Sequence, residues 1–215
     1  MSETAPAGSQ PKYVYIVEDD AAVRESLVLL LHLRGYEPVA IERAEAFPPH
    51  EAVARPACAL LDVRLPGMSG LDLQRKLKAE NSTMPVIVMT AHGDVATART
   101  ALRDGAVDFL EKPLEEGDLL EAVDLALRTD SEHVERAQQF EGVVERLQRL
   151  TEREMGVFER ITDGAHNREI AEELGISPRT VEVHRARLME KLGARRVADL
   201  FRLRFELNGR SRKPG

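Results

Sequence analysis

Four acids, a hydroxyl and an ammonium stand where apolar runs stop. "YVYIVE" (13–18) ends in Glu18 and continues into Asp19 and Asp20, and "CALLD" (58–62) ends in Asp62. Thr90 lies at the end of "PVIVMTA" (85–91), and Lys112 follows "AVDFLE" (106–111), just before Pro113. Carboxylates drawn together raise one another's pKa unless a cation sits among them. Oxygen ligands supplemented by water are what magnesium prefers. A magnesium-neutralised carboxylate beside a lysine and a hydroxyl suits phosphoryl chemistry, because metal and ammonium offset the charge on the phosphoryl oxygens while the carboxylate attacks. The competing reading is an acidic loop cluster with a structural ion pair to Lys112. It accounts for any one of these residues more easily than for all of them at corresponding strand ends.

The elements that must position these groups alternate. Apolar runs at 13–18, 37–40, 58–62, 85–91 and 106–111 read as strands. Helices fall near 21–34 (closed by Gly35), 43–53, 69–79, 94–104 and 115–128. Five strands alternating with five helices predict a doubly wound α/β unit, a parallel sheet covered on both faces. Such sheets place their chemistry at the carboxyl ends of the strands. Asp62 therefore ends its strand at the reactive edge, and the turn-forming Pro66, Gly67 and Gly70 follow at once. Asp20 reads as a helix cap. The spacing to Arg24 in "EDDAAVR" favours Glu18 and Asp19 as the pocket acids.

Charge divides the 215 residues. Residues 1–128 carry a net charge of −8, residues 129–150 a net of −2 and residues 151–215 a net of +3. An acidic front and a basic back point to two domains with different partners. No run approaches the length of a membrane span and no apolar signal segment opens the chain, so no membrane partner is expected. A lone cysteine, Cys58, excludes an internal disulfide and points to a reducing, cytoplasmic setting, and its apolar run reads as that of a buried structural thiol. The six histidines show no zinc spacing: His32 is inside a helix, His92 follows Thr90, and His166 and His184 fall on separate elements.

The resulting division is a loose tail at 1–12, the α/β domain at 13–128, a helical connector at 129–150, an all-α domain at 151–207 and a basic tail at 208–215. In the connector, Phe140, Val143, Leu147 and Leu150 recur at coiled-coil-like spacing. That seam either packs on a neighbouring domain of its own chain or pairs with a second subunit.

The back half reads as four short helices. Thr151 and Glu154 form a capping box, Gly175 ends "NREIAEELG", and Ser177 with Pro178 opens "RTVEVHRARLMEKLG". Helix, tight turn, helix is the helix-turn-helix pattern, whose second helix enters the major groove of double-stranded DNA. Val181, Leu188, Leu192 and Met189 form its apolar face. Arginine and threonine on the rest suit phosphates and base edges, glutamate accepts from cytosine and valine touches a thymine methyl. An exposed helix with solubilising arginines is the plainer alternative.

"YIVEDDAAVRESL", "LLDVRLPGMSGLDL", "VIVMTAHGD" and "GAVDFLEKPLE" resemble a response-regulator receiver domain over residues 12–128. "LTERE…GAHNREIAEELGISPRTVEVHRARLMEKL" resembles the LuxR-type domain of the FixJ/NarL response regulators, its FixJ branch above all, over 148–207. The resemblance implies a flavodoxin-like sheet of order 2-1-3-4-5 and a four-helix DNA-binding domain. It implies that Asp62 accepts a phosphoryl group from a sensor histidine kinase. Asp19, Asp62 and the backbone carbonyl of Arg64 would ligate magnesium, with Glu18 acting through water in the outer part of the pocket. Thr90 would hydrogen-bond the phosphoryl group, Lys112 would pair with it, the Lys112–Pro113 bond would be cis, and Phe109 would be the switch aromatic unless it is an ordinary core residue. Glu182, Val183 and Ala186 would face bases. Arg168, Arg179, Thr180, His184, Arg185 and Arg187 would contact backbone or flanks. Phosphorylation would promote a homodimer on adjacent DNA half-sites, with RNA polymerase as a further partner and activation as the outcome.

Two other functions compete. Aspartate-nucleophile phosphatases need a second acid two residues on, and that position here is Arg64. A constitutive DNA-binding regulator with a vestigial receiver has no use for Asp19, Asp62, Thr90 and Lys112 together.

Overall fold

A computed structural model of the chain describes residues 10–49, 52–91 and 95–211. It divides into two compact units, residues 1–135 and 136–215.

The first unit is built on five parallel strands: β1 (Tyr13–Val17), β2 (Glu37–Ile41), β3 (Ala57–Asp62), β4 (Val86–Thr90) and β5 (Asp108–Glu111). Their order is β2-β1-β3-β4-β5, so the chain reverses direction of growth between β1 and β3. Every residue of β3 and β4 is buried, which is why both read as unbroken apolar runs. Successive side chains point to opposite faces. Val14, Ile16, Cys58, Leu60, Ile87 and Met89 build one core, and Tyr15, Val17, Ala59, Leu61, Val86 and Val88 build the other. Helix α1 (Ala21–Leu33) covers the first, and α2 (Gly70–Ala79) and α3 (Val95–Asp104) cover the second. Cys58 is fully buried, and that burial pushes its thiol up.

Among the described residues of the helix expected at 43–53 there is no α-helix, and Ala44–Ala46 form a 3-10 turn. Pro48 and Pro49 explain the difference, because proline lacks the helical donor and disfavours helix in the residue before it. His50 and Glu51 lie outside the described residues, as do His92 and the start of the tail expected at 1–12.

The helix expected to stop at residue 128 and the separate connector at 129–150 form one helix, α4 (Glu116–Gln148). The stretch has no proline, and its only interior glycine beyond the start is Gly142. Leu119, Ala122, Val123, Ala126 and Leu127 belong to the first unit's core. Asp130, fully buried, takes hydrogen bonds from the Arg55 guanidinium and, at 2.7 Å, from the Ala57 N–H. The first unit therefore extends past residue 128. Val143 and Leu147 of the expected seam are buried in the second unit, with Leu150 packed against them.

That second unit also contains α5 (Glu152–Thr162), α6 (Asn167–Leu174), α7 (Pro178–Leu192) and α8 (Val197–Ser211). Helix α8 runs three residues beyond 208, where the basic tail was expected to begin. No helix among the described residues is long and apolar enough to cross a membrane.

Candidate functional site

The parallel register brings the strand ends together. Val17 pairs with Leu61, Asp62 with Met89 and Thr90 with Glu111. The residues that follow these pairs share one edge. There, carboxylate oxygens of Glu18, Asp19 and Asp62 all lie within 4.8 Å of one another. The Lys112 ammonium reaches into the group, donating to Glu18 Oε2 at 2.5 Å and to Asp62 Oδ2. Burial alone would depress that ammonium, but the Asp62 and Glu18 carboxylates outweigh it and raise its pKa. Burial raises the Glu18 carboxyl, with the Asp62 charge adding to it against the Lys112 hydrogen bond.

Glu18 is buried and touches Lys112 directly, whereas Asp19 is exposed. Glu18 thus lies on the inner side of the acidic group and Asp19 on its solvent side. Asp20 stands apart as the α1 cap, accepting from Ala22 and Val23 N–H at 2.8 and 3.1 Å. Arg24 steadies the acidic turn by donating to the carbonyls of Glu18 at 2.7 Å and Asp19 at 3.1 Å.

Asp62 is 5% exposed, and its Oδ1 accepts the Arg64 N–H at 2.9 Å. Gly70 permits the close return of the chain: a Cβ there would lie 2.1 Å from the Asp62 carbonyl oxygen. Thr90 is buried at the end of β4, and its carbonyl accepts the Lys112 N–H at 2.7 Å. The Lys112–Pro113 bond is cis. Phe109 is half-buried and packs against the second core. A buried carboxylate held by an ammonium beside two further acids can attack a phosphorus centre and bind a divalent cation.

In the second unit, Gly175 takes the left-handed conformation (φ 63°) that ends α6, and Ser177 caps α7 by accepting the Thr180 N–H at 3.1 Å. Val181, Leu188 and Leu192 are buried. Arg179, Glu182, Val183, Ala186 and Arg187 are exposed on α7, and Arg168 is exposed on α6. Thr180, His184 and Arg185 are half-buried. Arg179 pairs with Glu182 at 3.3 Å. Arg185 lines a cleft of about 430 Å³ with His166, Asn167 and Phe201.

Comparison with known proteins defines the class. The receiver domain of response regulators matches residues 14–124, and the luxR family of bacterial regulatory proteins matches residues 148–203. The chain belongs to the two-component response regulators that control transcription, joining a receiver to a LuxR-type DNA-binding domain. Within that class it is similar to the transcriptional regulatory protein FixJ. It is 42% identical to FixJ of Azorhizobium caulinodans over 190 residues, 88% of this chain and 90% of that protein. It is 38% identical to FixJ of Bradyrhizobium diazoefficiens over 191 residues, 89% and 93% of the two chains. The structure of the response regulator StyR matches with a TM-score of 0.80 at 37% identity, over 90% of this chain and 98% of that one. Full-length FixJ from B. japonicum matches with a TM-score of 0.54 at 37% identity, over 92% and 97%. The FixJ relatives are transcriptional regulatory proteins, and StyR is a response regulator.

The sequence does not mark Glu45 or Asp130, which lie far from the residues they hold. Gly70, legible as a turn glycine after Asp62, gains from the structure its close approach to the Asp62 carbonyl oxygen.

Proposed function

We propose that a sensor histidine kinase transfers a phosphoryl group to Asp62, and that this transfer controls dimerisation and DNA binding in the cytoplasm. The observation that carries the reading is the Lys112 ammonium held between the buried carboxylates of Glu18 and Asp62, with Asp19 beside them. In the transfer, an Asp62 carboxylate oxygen forms the new bond to phosphorus. The P–N bond to the kinase histidine breaks, its electron pair stays on the imidazole, and the ring takes up a proton. The acids Glu18, Asp19 and Asp62 and the Arg64 carbonyl suit magnesium, which when bound would neutralise phosphoryl charge. The Lys112 ammonium pairs with one phosphoryl oxygen and the Thr90 hydroxyl donates to another. Arg64 stands where a phosphatase would need its acid, so the acyl phosphate persists as a signal.

Thr90 and Phe109 link the modified site to the surface of α3 and β5, where two phosphorylated copies pair. Two copies of α7 then engage adjacent half-sites, and bivalency raises affinity for DNA. Glu182, Val183 and Ala186 read bases, while Arg168, Arg179, Thr180, His184, Arg185 and Arg187 hold phosphates or flanks. Bound in this way, the dimer meets RNA polymerase and activates transcription.

Intact mass after incubation with magnesium and acetyl phosphate tests the reading. One added phosphoryl group in the wild type, absent in Asp62→Asn, is expected. Addition that persists in Asp62→Asn would place the acceptor elsewhere. No addition under conditions that modify a control receiver, with DNA affinity unchanged by Asp62→Asn, would favour a constitutive regulator with a vestigial receiver.

A further inference from the structure

Resting on the reading of Asp62 as acceptor, the geometry points to Glu45 as a positioning residue for phosphoryl acceptance. Its carboxylate holds the far end of the loop that follows Asp62.

The loop between β3 and α2 has several fixed points. Val63 N–H donates to the Met89 carbonyl at 2.9 Å, and Gly70 N–H donates to the Val63 carbonyl at 3.3 Å. Arg64 N–H donates to Asp62 Oδ1, so this point is borrowed from the reacting carboxylate itself. Beyond Arg64 come Leu65, Pro66 and Gly67, and then Met68, whose N–H donates to Glu45 Oε1 at 2.7 Å. Glu45 is 23 residues away in sequence, in the turn after β2. It is therefore a tether on the Arg64–Met68 arc that does not depend on the state of Asp62.

Two independent features fit that role. Gly67 has φ +81°, and a Cβ there would lie 2.4 Å from Glu45 Oε1, so glycine both makes the turn and admits the carboxylate. The support of Glu45 is rigid: Ala44 is fully buried, Phe47 is buried, and the Phe47 ring packs on Tyr15 with centroids 5.6 Å apart. The Met68 N–H holds the Glu45 carboxyl below its ordinary range, as a carboxylate acceptor requires. An acceptor on a rigid base fixes a loop better than one on a mobile loop. The backbone so fixed includes the Arg64 carbonyl, one of the oxygens proposed for the cation.

The test compares wild type, Glu45→Ala and Glu45→Gln. The rate of phosphoryl addition from acetyl phosphate is measured against magnesium concentration, and exchange of the Met68 amide is measured without phosphodonor. Glu45→Ala is expected to deprotect the Met68 amide and raise the magnesium concentration for half-maximal rate by roughly fivefold, since misplacing a positioning group costs rate at a distance. Glu45→Gln, which keeps an acceptor oxygen, is expected to recover most of both. A deprotected Met68 amide in Glu45→Ala with wild-type magnesium dependence would overturn the proposal, as would Glu45→Gln behaving like Glu45→Ala. Failure of the wild type to accept phosphoryl at Asp62 would sink the reading beneath it, and that failure shows in the wild type alone.

Discussion

Replacing Lys191 by methionine removes the ammonium that ties α7 to the start of α5. Lys191 Nζ donates to Glu154 Oε2 at 2.6 Å and to the Arg149 carbonyl at 3.0 Å. Glu154 is only 3% exposed, and its same oxygen accepts the Thr151 N–H at 2.8 Å. The Lys191 hydrogen bond, then the Thr151 N–H, lower the Glu154 carboxyl from 4.5 to about 2. Converted at about 1.36 kcal/mol per pKa unit, that depression sets an upper bound of about 3.4 kcal/mol. Lys191 is 34% exposed, and solvent screening reduces the part lost with Lys191→Met to about 1–2 kcal/mol. The sign follows from the lowered folded-state value. The stabilisation is fully present above the ordinary carboxylate range and disappears as pH falls through it toward 2. Urea unfolding of the full chain, with amide exchange followed in α5 and α7, should show the variant less stable by that amount at pH 7. The gap should shrink to roughly half by pH 3. A gap of the same size at pH 3 and pH 7 would refute the electrostatic account and leave only lost packing of the lysine stem. Because α7 carries the exposed side chains proposed to face DNA, the variant should also bind operator and random DNA more weakly in parallel.

Gly70→Ala forces a methyl onto the Asp62 carbonyl oxygen, so thermal melting should fall by about 2–3 kcal/mol of stability and phosphoryl acceptance at Asp62 should slow in intact-mass time courses. Arg55→Met leaves the fully buried Asp130 carboxylate with the Ala57 N–H as its remaining partner among those described. The cost should be about 3 kcal/mol in urea unfolding of the first unit, and a loss below 1 kcal/mol would show that Asp130 rehydrates. Arg185→Ala should weaken binding to all DNA sequences alike and flatten the dependence on salt by about one counterion. A loss confined to one base position would make Arg185 a base reader.

What could be read from the sequence was local or periodic. Asp20 is a legible cap because its acceptor serves N–H groups two and three residues on. β3 and β4 are legible because a strand buried on both faces must be apolar throughout, and their ends then mark the reactive edge. The order of the acids there was less legible: composition cannot tell that Glu18 turns inward to Lys112 while Asp19 faces solvent. The relation between Asp130 and Arg55 spans 75 residues, and nothing local marks an aspartate in a helix as buried. Its effect on the chain was correspondingly misread. The apolar pattern changes near residue 128 because the helix begins to change the core it serves, and that change resembles a boundary. The backbone has no strong reason to break there, since no proline or glycine stands between Thr129 and Gly142. Asp130 and Val143 thus lie on one helix yet belong to different units. A change of hydrophobic partner and an end of secondary structure are separate events, and only the second needs a proline, a glycine or a cap.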